Sequence, residues 1–221
     1  KRVKSNFFIP FSRLDLLYIR AKVEDFYLYL RLGFDHIFNY DAYDHLIYVL
    51  VIIAPFRISQ LKQILILLTG FTLGHSLTLA LASLNIIPVA ENWIEFLIPV
   101  TIFLTAFLNL VDLGFRKRKK KQLLEHNWLN YSLAVVFGLI HGLGFSNNLR
   151  PLLSEGENLL ARLFSFNIGI EVGQIVIAVF ALALLSFTVK ILKIKHNAWN
   201  FVVSLLVLIL SFNLMIQTRF W

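Results

Sequence analysis

The chain of 221 residues contains no cysteine. Disulfides, thiolate metal sites and a cysteine nucleophile are therefore excluded. Charge is scarce too: 15% of the residues are Asp, Glu, Lys or Arg, against about 25% in an ordinary soluble domain. Methionine occurs once, at Met215, and proline five times. Pro55, Pro88 and Pro151 fall at the edges of apolar runs, where helices tend to stop. Neither an HExxH pair nor a GxSxG elbow is present, which removes two common hydrolase signatures. Residues 1–22 are too charged to be a signal sequence.

What is there is oil. Hydrophobic residues make up 58% of the chain, and the mean hydropathy is +0.72. Several runs reach the ~20 residues that a helix needs to cross a bilayer. The expected fold is all-α: a polytopic membrane helix bundle of about six transmembrane helices with a broken first helix. The first span, Ala42 to Pro55, is short and follows the segment Glu24 to Phe38. The others run from Leu61 to Ile87, Trp93 to Phe115, Trp128 to Asn148, Leu159 to Val189 and Ala198 to Gln217. Residues 1–22 form a basic N-terminal segment suited to the membrane surface, and residues 23–221 a single bundle domain.

The net charge of +8 is concentrated in blocks. Arg116 to Lys121 form one, and Lys190, Lys193 and Lys195 another. No aromatic-interleaved basic groove accompanies them, so nucleic acid is not an expected partner. Between apolar spans such blocks read as cytoplasmic loops, in contact with lipid head groups. Arg57 and Lys62 fall on the same side, while the opposite loops hold Arg150, Arg162 and Arg219. Both termini are then expected outside, in a multi-pass protein of the cytoplasmic membrane. The cations of the first 22 residues, such as Arg13, Arg20 and Lys22, run against that rule and are assigned to the head-group layer.

Ionisable residues inside spans are the candidate functional groups, because each costs at least ~2.5 kcal/mol near the bilayer centre. His126 and His196 adjoin basic loops and read as interfacial. The stretch FDHIFNYDAYDHLIYVL, residues 34–50, carries Asp35, His36, Asp41, Asp44 and His45 at the mouth of the short first span. Asn39-Tyr40-Asp41 reads as a break of the kind that lets helix ends face an ion. His75 lies within FTLGHSLTLAL beside Ser76, and His141 within FGLIHGLGF. Both segments share the spacing Phe-x-Leu-x-His-x-Leu, a faint internal repeat. In FNIGIEVGQ, Asn167, Glu171 and Gln174 are spaced i, i+4, i+7 and form one polar stripe. Thr101, Thr105, Asn109 and Asp112 form another, with Glu95 nearer the outer end. Imidazoles and a carboxylate without thiolates suit nickel, cobalt or zinc. Interhelical hydrogen bonding is the plainer reading of each single Asn, Ser or Thr.

Taken in order, the H…DH succession and then FTLGHSLTLAL, FGLIHGLGF and FNIGIEVGQ resemble the HupE/UreJ family, and within it the second branch. These are bacterial membrane proteins linked to nickel supply for hydrogenase and urease, so the resemblance implies a bacterial inner membrane. It also implies metal handling by His36, Asp44, His45, His75, His141 and Glu171. Seven residues separate His36 from Asp44 here, where the family's usual motif has a shorter, glycine-containing turn. Three functions remain open. The first is a divalent-metal permease with Asp41, Ser76, Asn167, Gln174 and Glu95 along its polar pathway. The second is an intramembrane zinc hydrolase acting on lipid or peptide, and the third a non-catalytic subunit of a membrane complex or homo-oligomer.

Overall fold

The computed structural model describes residues 13–39, 43–117, 127–146, 149 and 159–220. Asp41, the first twelve residues, Arg150, Pro151 and residues 118–121 of the basic block lie outside them. In chain order the helices are α1 (Arg13–Ile37), α2 (Asp44–Ile53), α3 (Leu61–Ser83), α4 (Glu91–Lys117), α5 (Asn127–Gly144), α6 (Leu159–Lys190) and α7 (His196–Gln217). A single 3-10 turn, Ile58–Gln60, precedes α3. No strand occurs among the described residues.

Four stretches are long and apolar enough to cross a membrane: Ile58–Ser83, Glu91–Gly114, Leu159–Lys190 and His196–Gln217. They match four of the six expected spans. The other two are shorter apolar helices, Asp44–Ile53 and Asn130–Gly144. Ten residues give α2 a length of about 15 Å, half of the hydrocarbon thickness. The expected break is real: α1 ends at Ile37 and α2 begins at Asp44. α1 begins at Arg13 and runs without interruption through residues 22 and 23. Arg13, Asp15 and residues 17–24 are exposed, whereas Tyr29, His36 and Ile37 near its end are buried.

Two helix pairs hold the bundle, each built on glycine. α3 and α5 run parallel, with Gly74 against the Val135 carbonyl, Gly138 against the Phe71 carbonyl and Gly142 against the His75 carbonyl. A Cβ at any of these positions would collide with backbone. α1 and α6 pair in the same way, with Gly33 on Phe166 and Gly169 on Leu30. Small residues four apart are what let helices approach so closely inside a membrane. An ion pair fixes the register of α1 and α6, with Arg162 Nε donating to Asp25 Oδ2 at 2.8 Å. One turn on, the Ser165 hydroxyl donates to the Phe26 carbonyl. α4 and α7 lie antiparallel, with Trp93 on Phe220 at 4.7 Å and Phe103 on Phe212 at 6.4 Å between ring centres.

One end of the bundle gathers Arg57, Lys190, Lys195 and His196 around a common hollow. This basic end faces away from Glu95 and Thr218, which meet at the other. Because α1 runs parallel to α6, its start lies at the Glu95 end, together with the end of α7. Outward faces remain apolar, as at Leu73, Phe180 and Leu206.

Replacing Gly142 by leucine drives a side chain into backbone that cannot yield. Thermal unfolding in detergent should show a loss of about 3 kcal/mol, the upper range for overpacking. Gly114→Ala, where nothing lies within 4 Å of the added carbon, should leave stability unchanged or raise it.

Candidate metal centre

The break in the first crossing is where the histidines meet. α1 ends in a tightened turn, with Phe38 N donating to the Asp35 carbonyl at 3.1 Å. His36 thus sits in its last turn. α2 opens at Asp44, whose Oδ1 accepts the backbone N–H of His45 at 2.8 Å. A carboxylate is favoured at a helix N-terminus, where the partial charge is positive. The far end of α2 is also secured: Asn109 Nδ2 on α4 donates to the Val51 carbonyl at 2.8 Å.

Across from the break, α3 and α5 present His75 and His141 beside the glycines that join them. Gly74 and Gly142 bring the two backbones together, and each adjoining imidazole comes within contact of His45. His36, His45, His75 and His141 are all buried, none more than 8% exposed. His45 is central, with ring centres 4.6 Å from His36, 5.8 Å from His75 and 5.3 Å from His141. Ligand atoms of His36, His45 and His75 lie within 4.8 Å of one another, and so do those of Asp44, His45 and His141.

The hydrogen bonding leaves this group prepared for a cation. His45 Nδ1 lies 3.0 Å from Asp44 Oδ1, which leaves Nε2 bare. His141 Nε2 lies 3.1 Å from Thr101 Oγ1, which leaves Nδ1 bare. His36 Nε2 and both ring nitrogens of His75 are also buried without partners. A buried polar atom left unpaired costs about 1–3 kcal/mol, so five together suit a bound ion or ordered water. Imidazole nitrogens steadied on their far side by a carboxylate or hydroxyl are the usual arrangement around a first-row metal. The donor set fits nickel, cobalt or zinc, and Asp44 can orient His45 or ligate in its own right.

A cavity of about 240 Å³ leads to this centre from the Glu95 end, lined among others by His36, Asp44, His45, His141, Glu95 and Pro99. Pro99 stands inside α4. Lacking an N–H, it deprives the Glu95 carbonyl of its helical partner at the cavity's edge. The side chain of Glu95 is exposed there.

The other expected site residues lie elsewhere. Glu171 belongs to neither histidine group; its Oε1 accepts from Thr69 Oγ1 at 2.5 Å. Thr69 precedes His75 by six residues, about 9 Å along α3. One turn further on, Thr72 Oγ1 donates to Gln174 Oε1 at 3.1 Å, so the two pairs tie α3 to α6. Ser76 Oγ turns back to the Thr72 carbonyl at 2.6 Å. Asn167 Nδ2 turns back to the Leu163 carbonyl at 2.8 Å. His196 Nε2 lies 3.0 Å from the Pro55 carbonyl and pins the start of α7 to the chain after α2. Thr101 read from the sequence as one of a stripe of polar residues, and only the contact with His141 singles it out.

A family model described as HupE / UreJ protein matches residues 14–219. No curated protein matches the chain, and no solved structure does.

The geometry ranks the residues. In titrations of purified protein with Zn²⁺, His45→Ala should weaken binding about 100-fold and Thr101→Val about tenfold, the range seen for ligand and supporting groups. Glu171→Gln should leave the affinity unchanged. A Glu171→Gln effect as large as that of His45→Ala would place the centre wrongly.

Proposed function

The chain belongs to the HupE/UreJ family, and we propose that it is a permease for a divalent transition metal of the nickel, cobalt or zinc type. The observation that carries this reading is the set of buried, partnerless imidazole nitrogens gathered at the break between α1 and the half-length α2. Discontinuous helices place their ends and side chains around ions in membrane transporters. The tie to nickel or cobalt comes from the family resemblance, and the imidazole-rich donor set is in keeping with it.

The proposed path starts at the Glu95 end. The exposed carboxylate of Glu95 and that of Asp44 attract a hydrated cation into the 240 Å³ cavity. Bound water is exchanged there for imidazole nitrogen, with His45 central to both groups of donors. Conduction requires a site good enough to take the ion and weak enough to release it. Two overlapping donor groups sharing His45 allow an ion to shift between them without being fully released. By the positive-inside rule we assign the basic end to the cytoplasm of a bacterial inner membrane and both termini to the outer side. Lipid then covers the apolar outward faces.

An intramembrane zinc hydrolase would use the same ligands with one position left open for water. The cavity favours permeation, because it rises beside the carboxylate of Glu95 at the end of the bundle.

Cells expressing the protein should accumulate Co²⁺ or Ni²⁺, and the variants His45→Ala and His75→Ala should accumulate no more than cells lacking it. Unchanged uptake in both variants, together with one tightly held zinc per purified chain, would replace permeation by hydrolysis.

A further inference from the structure

The shared spacing Phe71-x-Leu-x-His75 and Phe137-x-Leu-x-His141 acquires a physical meaning from the helix packed beside it. α3 and α5 both run toward the Glu95 end, so each phenylalanine lies one turn nearer the basic end than its histidine. α2 runs the opposite way. Tyr48, three residues after His45, therefore enters the same layer as the two phenylalanines.

The three rings pack together, with Tyr48 4.7 Å from Phe71 and 6.4 Å from Phe137 between centres. They also form the floor of the histidine centre, since His141 lies 5.3 Å from Tyr48 and 5.0 Å from Phe71. Tyr48 and Phe71 are each only 1% exposed. Below this layer a second cavity of about 500 Å³ opens toward the basic end. Tyr48 and Phe137 line its inner end, Thr105 and Asn109 its wall, and Arg57 and Gln60 its mouth. Tyr48 thus faces both compartments, and its hydroxyl is buried without a partner.

We propose that Tyr48, backed by Phe71 and Phe137, is the closed gate between the histidine centre and this second cavity, through which a divalent cation leaves toward the basic end. The proposal rests on the permeation reading above. A layer of packed rings stops a cation because it excludes the water or ligand oxygens the ion must keep, as hydrophobic constrictions do in channels. The open space lies on the side of Tyr48 away from the histidines, so a change of rotamer carries the ring into the cavity. That movement opens the floor and brings a phenolic oxygen along the ion's way out. Tyrosine suits this position better than phenylalanine because it closes with a ring and opens with an oxygen.

The absence of native cysteine provides a clean test. Thr105→Cys places one thiol within the second cavity, and a membrane-impermeant cationic methanethiosulfonate is applied to each face of sealed vesicles. The thiol should react from the basic-end face and not from the Glu95 face. Adding Tyr48→Ala should raise the rate from the Glu95 face at least tenfold. Tyr48→Leu takes its place if the alanine variant does not fold. Unchanged labelling from the Glu95 face in both double variants overturns the gate, as does a thiol that reacts from neither face. Zn²⁺ binding is measured on the same preparations. Loss of the permeation reading then shows as absent metal binding in the parent protein, which removes the gate's premise. Loss of the gate alone shows as normal metal binding with labelling that stays one-sided in the Tyr48 double variants.

Discussion

Between α3 and α5 no side chain separates the backbones at Gly74, Gly138 and Gly142, and the same is true of α1 and α6 at Gly33 and Gly169. The arrangement of the candidate metal centre follows from this approach. His75 and His141 adjoin interface glycines, and His36 lies one turn beyond Gly33. Lipid offers no hydrophobic drive for helices to associate, so contact depends on close packing and on the hydrogen bonds it permits. With side chains absent at the contact, the helices come near enough for imidazoles from separate elements to share one volume. Any larger residue there would part the histidines and weaken the packing together.

The second constraint is the half-length α2. A ten-residue helix makes few hydrogen bonds of its own, and each end leaves backbone groups to be satisfied from elsewhere. Its neighbours supply what it lacks. Asp44 turns its carboxylate onto the first turn, and Asn109 reaches across from α4 to the Val51 carbonyl. Once held at both ends, α2 presents His45 to the centre and Tyr48 to the layer beneath it. The polar stripe on α4 thereby serves two purposes, since Thr101 steadies His141 and Asn109 steadies α2.

Much of the site was legible because ionisable residues in an apolar chain are expensive and therefore conspicuous. His36, Asp44, His45, His75 and His141 could each be picked out, and the structure brings them together. Glu171 was conspicuous for the same reason, yet it pairs with Thr69 across the α3–α6 contact. Depth along a span can be counted from the sequence, but the direction in which a residue points around the bundle cannot. Tyr48 illustrates the opposite case. A tyrosine within LIYVLVIIA looks like ordinary core, and its position beneath the histidines depends on α2 running against α3 and α5.

The sequence by itself determined the class of molecule: a helical bundle with a broken first crossing and a small set of candidate ligands. Those properties follow from composition and from the distance between breaks, which are local quantities. The tertiary structure decided which candidates meet, which nitrogens are left bare and which aromatic rings divide the two cavities. These depend on helix pairing and direction, fixed by glycine contacts between segments far apart in the chain. Glycines such as Gly74 and Gly142 permit close helix approach by their size alone, but which helix they admit is settled only once α3 and α5 are side by side.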